Sequence, residues 1–148
     1  DVLAGELLDD LRAVVAQLRK SDGLSLEQGI RQLASPLRGL DLQVDFSDEF
    51  RMERVVEAEV FLRVAREGLT NAARHGRASQ AWLILSRSDG DWQMQLDDNG
   101  RVQWPVKPGM GMAGMRERLE SLDGALELEP SAHGGLCLIA RLPAEAFE

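Results

Sequence analysis

Residues 53–98, ERVVEAEVFLRVAREGLTNAARHGRASQAWLILSRSDGDWQMQLDD, change their apolar period once, and that change decides the class of fold. Up to His75 there is no proline, and Val56, Val60, Phe61, Val64, Leu69, Ala72 and Ala73 recur at helical spacing, which predicts the longest helix of the chain. Gly76 is placed to stop it. From Gln80 the period becomes that of strands: AWLILSR and WQMQLDD read as two strands joined through Ser88, Asp89 and Gly90 by a hairpin turn, so antiparallel pairing is expected.

Outward from this stretch the two periods alternate irregularly. On the N-terminal side, LDLQVDF at 40–46 sets Leu40, Leu42, Val44 and Phe46 against polar residues, the pattern of a half-buried strand. Before it, a helix is expected at about 25–35, with Ser25 as N-cap, Gln28 at the capping-box position and Leu26, Ile30 and Leu33 as its stripe. Residues 2–19 carry Leu3, Leu7, Leu11, Val14, Val15 and Leu18 at helical spacing until Ser21, Asp22 and Gly23 end the run, and the near-heptad stripe suits a partner helix as well as this chain's own core. On the C-terminal side, NGRVQWPVKPGMG at 99–111 holds two prolines and three glycines and reads as a loop of functional length. A helix from about Met112 to Leu122 follows, then the strands ALELEP and GLCLIARLP. This order is too irregular for a doubly wound sheet. The expected class is α+β: a two-layer sandwich with a mixed, mostly antiparallel sheet and helices on one face.

Composition narrows the chemistry. With 148 residues and 44% apolar content one domain core is the default, and no run reaches the roughly 18 to 20 apolar residues of a membrane span. The first residues, DVLAGELLDD, lack the basic-then-apolar order of a signal peptide, so the piece is expected to be soluble, and what precedes it in a longer protein stays open. Seventeen basic against 25 acidic residues give a net charge of −8, which argues against nucleic-acid binding through a broad basic face. A small anion such as a nucleotide is still admissible, because RHGR at 74–77 is a local basic cluster. Cys137 lies in the apolar run LCLIARL and reads as core; with only His75 and His133 besides, no zinc set or Ser/His/Asp nucleophile is in view.

Three pieces carry chemistry. Glu67, Asn71 and Arg74 fall at spacings of four and three on the long helix, which puts them along one face. A carboxylate and an amide oxygen suit a hard ion such as Mg²⁺. By spacing alone a solvated helix face is the commoner outcome. Asp97, Asp98, Asn99 and Gly100 end a strand; Asp-Asn-Gly is common in plain turns, yet a carboxylate there can accept from an exocyclic amine while Gly100 admits a flat base. Gly109, Met110, Gly111, Met112, Ala113 and Gly114 spell G-x-G-x-x-G before a helix. The dinucleotide fingerprint needs a strand immediately before its first glycine, and QWPVKP is a proline-broken loop, so that reading is rejected while phosphate binding at the helix N-terminus is kept.

Together the three pieces resemble the nucleotide-binding boxes of the ATPase superfamily that holds histidine kinases, DNA gyrase, the ninety-kilodalton heat-shock chaperones and the mismatch-repair ATPases. REGLTNAARH at 66–75 looks like the N box, DDNG at 97–100 like the first glycine box and GMGMAGMRER at 109–118 like the second. The pairing of E-x-L-x-N-x-x-R-H with G-M-R-E-R-L and a short lid resembles the nitrate-sensor and desaturase-regulator type of bacterial two-component sensor histidine kinase, over about residues 7–143.

The resemblance implies a Bergerat ATPase fold using ATP and Mg²⁺. Asn71 would coordinate the metal with Glu67 supporting it, the two forming the catalytic pair. Arg74, His75 and Lys107 would meet phosphates, and Asp98 would read the adenine amine. Gly100, Gly109, Gly111, Met112 and Gly114 would shape the pocket and its lid, the lid being 101–110. Where the family's last motif has Gly-Thr, this chain has Gly135 and Leu136. No His-Asp or His-Glu pair occurs, so the phosphoacceptor histidine would lie outside the chain. Residues 1–22 would be the end of the dimerisation region and 23–148 the ATP-binding catalytic domain. The implied partners are ATP, the histidine-bearing dimerisation domain of the same kinase (a homodimer at full length) and a response regulator, with no nucleic acid and no direct membrane contact. The implied location is cytoplasmic, including the cytoplasmic part of a membrane-anchored sensor. Two other readings stay open: an ATP hydrolase of the gyrase or mismatch-repair kind, with Glu67 activating water, and a degenerate non-catalytic adaptor, which Leu136 favours.

Overall fold

The computed structural model describes residues 26–47, 55–103, 106 and 110–144; the helix expected at 2–19, the Ser25 cap, Lys107 and Gly109 lie outside the described residues. The described elements follow the order α1 (Leu26–Ala34), β1 (Asp41–Phe46), α2 (Val55–Thr70), β2 (Gln80–Ser88), β3 (Asp91–Asp98), α3 (Met110–Ser121), β4 (Ala125–Pro130) and β5 (Leu136–Pro143), with a π-helical turn (Asn71–His75) continuing α2.

One five-stranded sheet in the order β1-β2-β3-β5-β4 organises the domain. The Asp89–Gly90 turn joins β2 to β3, both residues being left-handed (φ 54 and 82), which is the conformation a tight hairpin requires and an Asp-Gly pair supplies. β2 and β3 therefore pair antiparallel, Leu83 opposite Leu96 and Leu85 opposite Met94. β5 pairs antiparallel with both β3 and β4. β1 alone is parallel to its neighbour, Val44 beside Leu83, because α2 carries the chain back over the sheet between β1 and β2. The sheet is mixed and mostly antiparallel, as its strand pattern predicts.

Strand alternation then assigns two faces. Ala81, Leu83, Leu85, Met94, Leu96, Leu138, Ala140 and Leu142 point one way into a core shared with Ile30, Leu33, Phe61, Leu62, Leu69, Met115 and Leu119 of the helices. Cys137 and Ile139 are buried yet take no part in that cluster, because they belong to the opposite face with Trp82, Ile84 and Gln95. All three helices thus cover one side. Asp98, at the end of β3, belongs by this alternation to the helix-covered face and Asp97 to the other.

Candidate functional site

At the C-terminal end of α2 the hydrogen-bond ladder widens. The Gly76 N–H donates to the Asn71 carbonyl at 2.9 Å, five residues back, and Ala78 N–H to the Ala72 carbonyl at 2.8 Å. Wide turns of this kind add one residue to the helical circuit and are frequent at functional sites. The consequence is a change of phase: Asn71, Ala72, His75 and Gly76 line one wall of a cavity of about 810 Å³ together with Glu67 one turn earlier. Arg74 is not part of that wall, because the extra residue moves the next inward position from 74 to 75.

The floor comes from the end of β3. Asp98 is only 5% exposed. Its Oδ1 accepts the Gly100 N–H at 2.8 Å and the Leu136 N–H at 3.3 Å, while its carbonyl accepts the Gly135 N–H at 3.1 Å. Both side-chain bonds fall on Oδ1, which leaves Oδ2 without a protein donor among the described residues. A Cβ at Gly135 would collide with this carboxylate, so the β4–β5 turn needs glycine there. Asn99 does something different from Asp98. Its Oδ1 accepts the N–H groups of Ser79 (2.9 Å) and Gln80 (3.0 Å), and its Nδ2 donates to Ser79 Oγ (3.0 Å), closing the start of β2 onto the end of β3. The Arg101 N–H donates to the Gly76 carbonyl at 2.7 Å and links the loop to the wide turn.

The remaining wall is built by Arg101, Val102, Gln103 and Val106 of the loop, by Gly111 and Met112 at the start of α3, and by Leu136. The start of α3 offers backbone N–H groups without helical partners and the positive end of a helix dipole. Its Gly111 lies so close to Glu67 that a Cβ would strike the carboxylate. Glu67 and Asn71 therefore present hard oxygen donors beside a helix N-terminus. No group of three or more His, Cys, Asp or Glu that could hold a metal ion by itself occurs among the described residues. A donor set this sparse fits Mg²⁺ bound jointly with ligand phosphates, since that ion keeps most of its shell for water and phosphate oxygens.

Of the residues singled out from sequence, Glu67, Asn71, His75, Asp98, Gly111 and Met112 meet at this cavity. Gly100 stands just behind it, holding Asp98 through its N–H. Gly114 has nothing within 4 Å of where a Cβ would stand. Ala72, Gly76, Arg101, Gln103 and the valines were not identified individually, although 101–106 fall in the expected lid; an apolar or flexible loop residue carries no chemical signature of its own.

Beyond the cavity, Asp97 is fixed on the opposite face, Oδ1 accepting from Ser131 Oγ at 2.7 Å and Oδ2 from Gln95 Nε2 at 2.8 Å. Burial, then the negative charge and hydrogen bond of Asp97, push the neighbouring Cys137 thiol up to about 12. It is a core residue, as its sequence context suggests. His133 stacks on Trp82 with ring centroids 3.7 Å apart.

No family model matches the chain. It is 30% identical over 147 residues to the sensor histidine kinase YxjM of Bacillus subtilis (strain 168), covering 95% of this chain and 36% of the relative. It is 26% identical over 161 residues to the nitrate/nitrite sensor protein NarX of Escherichia coli (strain K12), covering 98% of this chain and 27% of the relative. The chain thus spans about a third of the length of these relatives. In fold it is similar to the ATP binding domain of PrrB from Mycobacterium tuberculosis, with a TM-score of 0.65 and 23% identity over 80% of this chain and 90% of that one. No described helix is long and apolar enough to cross a membrane. Sequence relatives and fold agree: the chain is similar to a piece of sensor histidine kinases and has the fold of an ATP-binding domain of that kind.

Proposed function

We propose that the cavity binds Mg-ATP and presents its γ-phosphate to a histidine on a dimerisation domain that this chain does not contain, for relay to a response regulator. The observation that carries this reading is the placement of a buried carboxylate, Asp98, and an oxygen pair, Glu67 and Asn71, on separate walls of one cavity of about 810 Å³. That volume falls in the range of small-molecule sites. Asp98 Oδ2 accepts from the adenine amine, its orientation fixed by two backbone N–H groups on Oδ1. Leu136 packs an apolar side chain against the base where the resemblance has a hydroxyl.

At the other end, Asn71 and Glu67 would hold Mg²⁺, which would offset the negative charge of the phosphates there. His75 lines the phosphate end, and Gly111 and Met112 turn the N-terminus of α3 toward it; Lys107 would be a further phosphate partner. Arg74 and Gly114 act from outside the wall, Arg74 as part of the basic cluster. Catalysis by such a piece is positioning and charge stabilisation of an in-line transfer. The acceptor's base would belong to that dimerisation domain; residues 23–148 would form the ATP-binding unit and residues 1–22 the end of the dimerisation region.

Mixing the chain and γ-labelled ATP with a histidine-bearing dimerisation domain should give acid-labile, base-stable phosphate on that domain, lost in Asn71→Ala. Phosphate released to water instead, in a turnover abolished by Glu67→Ala, would replace this reading with a hydrolase. No binding of a non-hydrolysable ATP analogue at millimolar concentration would leave an adaptor.

A further inference from the structure

The two carboxylates that end β3 are gripped by one turn from both sides of the sheet. On the helix-covered side, Gly135 and Leu136 donate their N–H groups to the carbonyl and Oδ1 of Asp98. On the other side, Ser131 Oγ donates to Asp97 Oδ1 at 2.7 Å and itself accepts the His133 N–H at 3.1 Å. The His133 ring then stacks on Trp82 at 3.7 Å and 15°. Trp82 is the cross-strand partner of Asp97 on β2, so the contact passes over the end of β3. The turn is closed on itself by Ser131 N–H to the Gly135 carbonyl at 2.8 Å and by Gly134 N–H to the Ser131 carbonyl at 3.1 Å. A displacement of Ser131 or His133 is therefore passed directly to the Gly135 N–H on the Asp98 carbonyl and to the Leu136 N–H, which shares Oδ1 with the Gly100 N–H.

We infer that the β4–β5 turn is a clamp that sets the orientation of the Asp98 carboxylate, and that Ser131 and His133 are positioning residues for base selectivity acting through it. The inference rests on the reading of Asp98 as the adenine contact. Neither residue lines the cavity, and both act from the far side of the sheet. A site built to accept from a base N–H discriminates against an analogue without that donor, and the discrimination depends on how well the acceptor is held. Inosine diphosphate is the appropriate probe, because it has a carbonyl where adenosine diphosphate has the amine.

Calorimetric titration of the chain with each diphosphate in Mg²⁺ should show a preference for the adenine compound of about tenfold or more. In Ser131→Ala and His133→Ala, the adenine compound should weaken about fivefold while the inosine compound changes less than about twofold. Ser131→Thr, which keeps the hydroxyl, and His133→Phe, which keeps the stacking ring, should restore the preference. Amide exchange at Leu136 should quicken in the alanine variants and recover in the conservative ones, a readout that needs no nucleotide. Equal weakening of both diphosphates, or an intact preference with unchanged Leu136 exchange, would overturn the clamp while leaving the ATP site standing. A wild-type chain that binds both diphosphates alike would instead sink the adenine role of Asp98, and the clamp with it.

Discussion

Asp98 accepts two backbone N–H groups on one oxygen and keeps the other for a ligand, and the two uses can be separated by substitution. Asn retains an acceptor Oδ1 and loses the charge and the second acceptor. Asp98→Asn should therefore melt close to wild type and lose about tenfold or more in affinity for adenosine diphosphate, read by calorimetry beside a thermal scan. Asp98→Ala orphans both buried donors and should in addition lose about 1–3 kcal/mol of stability in urea titration. Cys137 invites a different test. Its thiol rises from 9.0 to about 12 because it is buried, beside Asp97 and then Glu129. The thiolate is less favoured in the fold than in the unfolded chain, so this contribution to stability is complete below pH 9 and is lost as pH climbs toward 12. Native chain at pH 8 should leave Cys137 unreacted with an aromatic disulfide reagent, one equivalent appearing only in denaturant. Prompt reaction in the folded state would contradict the burial of the thiol.

Elements show which of these properties can be read in advance. The start of α3 holds two glycines that a helix scale treats alike, each about 1 kcal/mol worse than alanine. Their surroundings differ. A Cβ at Gly111 would strike the Glu67 carboxylate, whereas one at Gly114 would meet open space. Gly114→Ala should therefore raise stability by about 0.5–1 kcal/mol in urea titration. Gly111→Ala should push Glu67 aside and diminish the strengthening of nucleotide binding by Mg²⁺, measured as the ratio of affinities with and without the ion. The described helices and strands were legible because their apolar residues repeat at 3.6 or 2 wherever one face is buried, as from Val56 to Leu69 and from Ala81 to Leu85. The wide turn at 71–75 was not, since a bond from Gly76 to Asn71 in place of a four-residue bond leaves no mark on apolar spacing. For that reason the spacing of Glu67, Asn71 and Arg74 suggested one common face, while the cavity takes His75. Pairing was legible in part: an Asp-Gly turn announces a hairpin, but nothing local announces that β1 runs parallel to β2.

For the whole molecule the field opposes the proposed ligand. A chain of net charge −8 must draw in a nucleotide polyphosphate that is itself strongly negative. His75 and Arg101 are the basic residues among the described cavity wall. Their attraction acts at contact range, where salt screens it little, whereas the repulsion from the rest of the chain acts across distances comparable to the Debye length, about 10 Å at 0.1 M salt. Raising sodium chloride from about 10 to 150 mM should then strengthen metal-free binding of adenosine diphosphate by about two- to threefold, the reverse of the slope of a nucleic-acid binder. Mg²⁺ removes the same repulsion at its source, by neutralising the ligand beside Asn71 and Glu67, so with the ion present the salt dependence should flatten. Titrations at several salt concentrations, with and without Mg²⁺, measure both slopes. A metal-free affinity that falls with salt would mean that local basic residues outweigh the acidic surface, and would point first to Arg101, whose replacement by Gln should then abolish the slope.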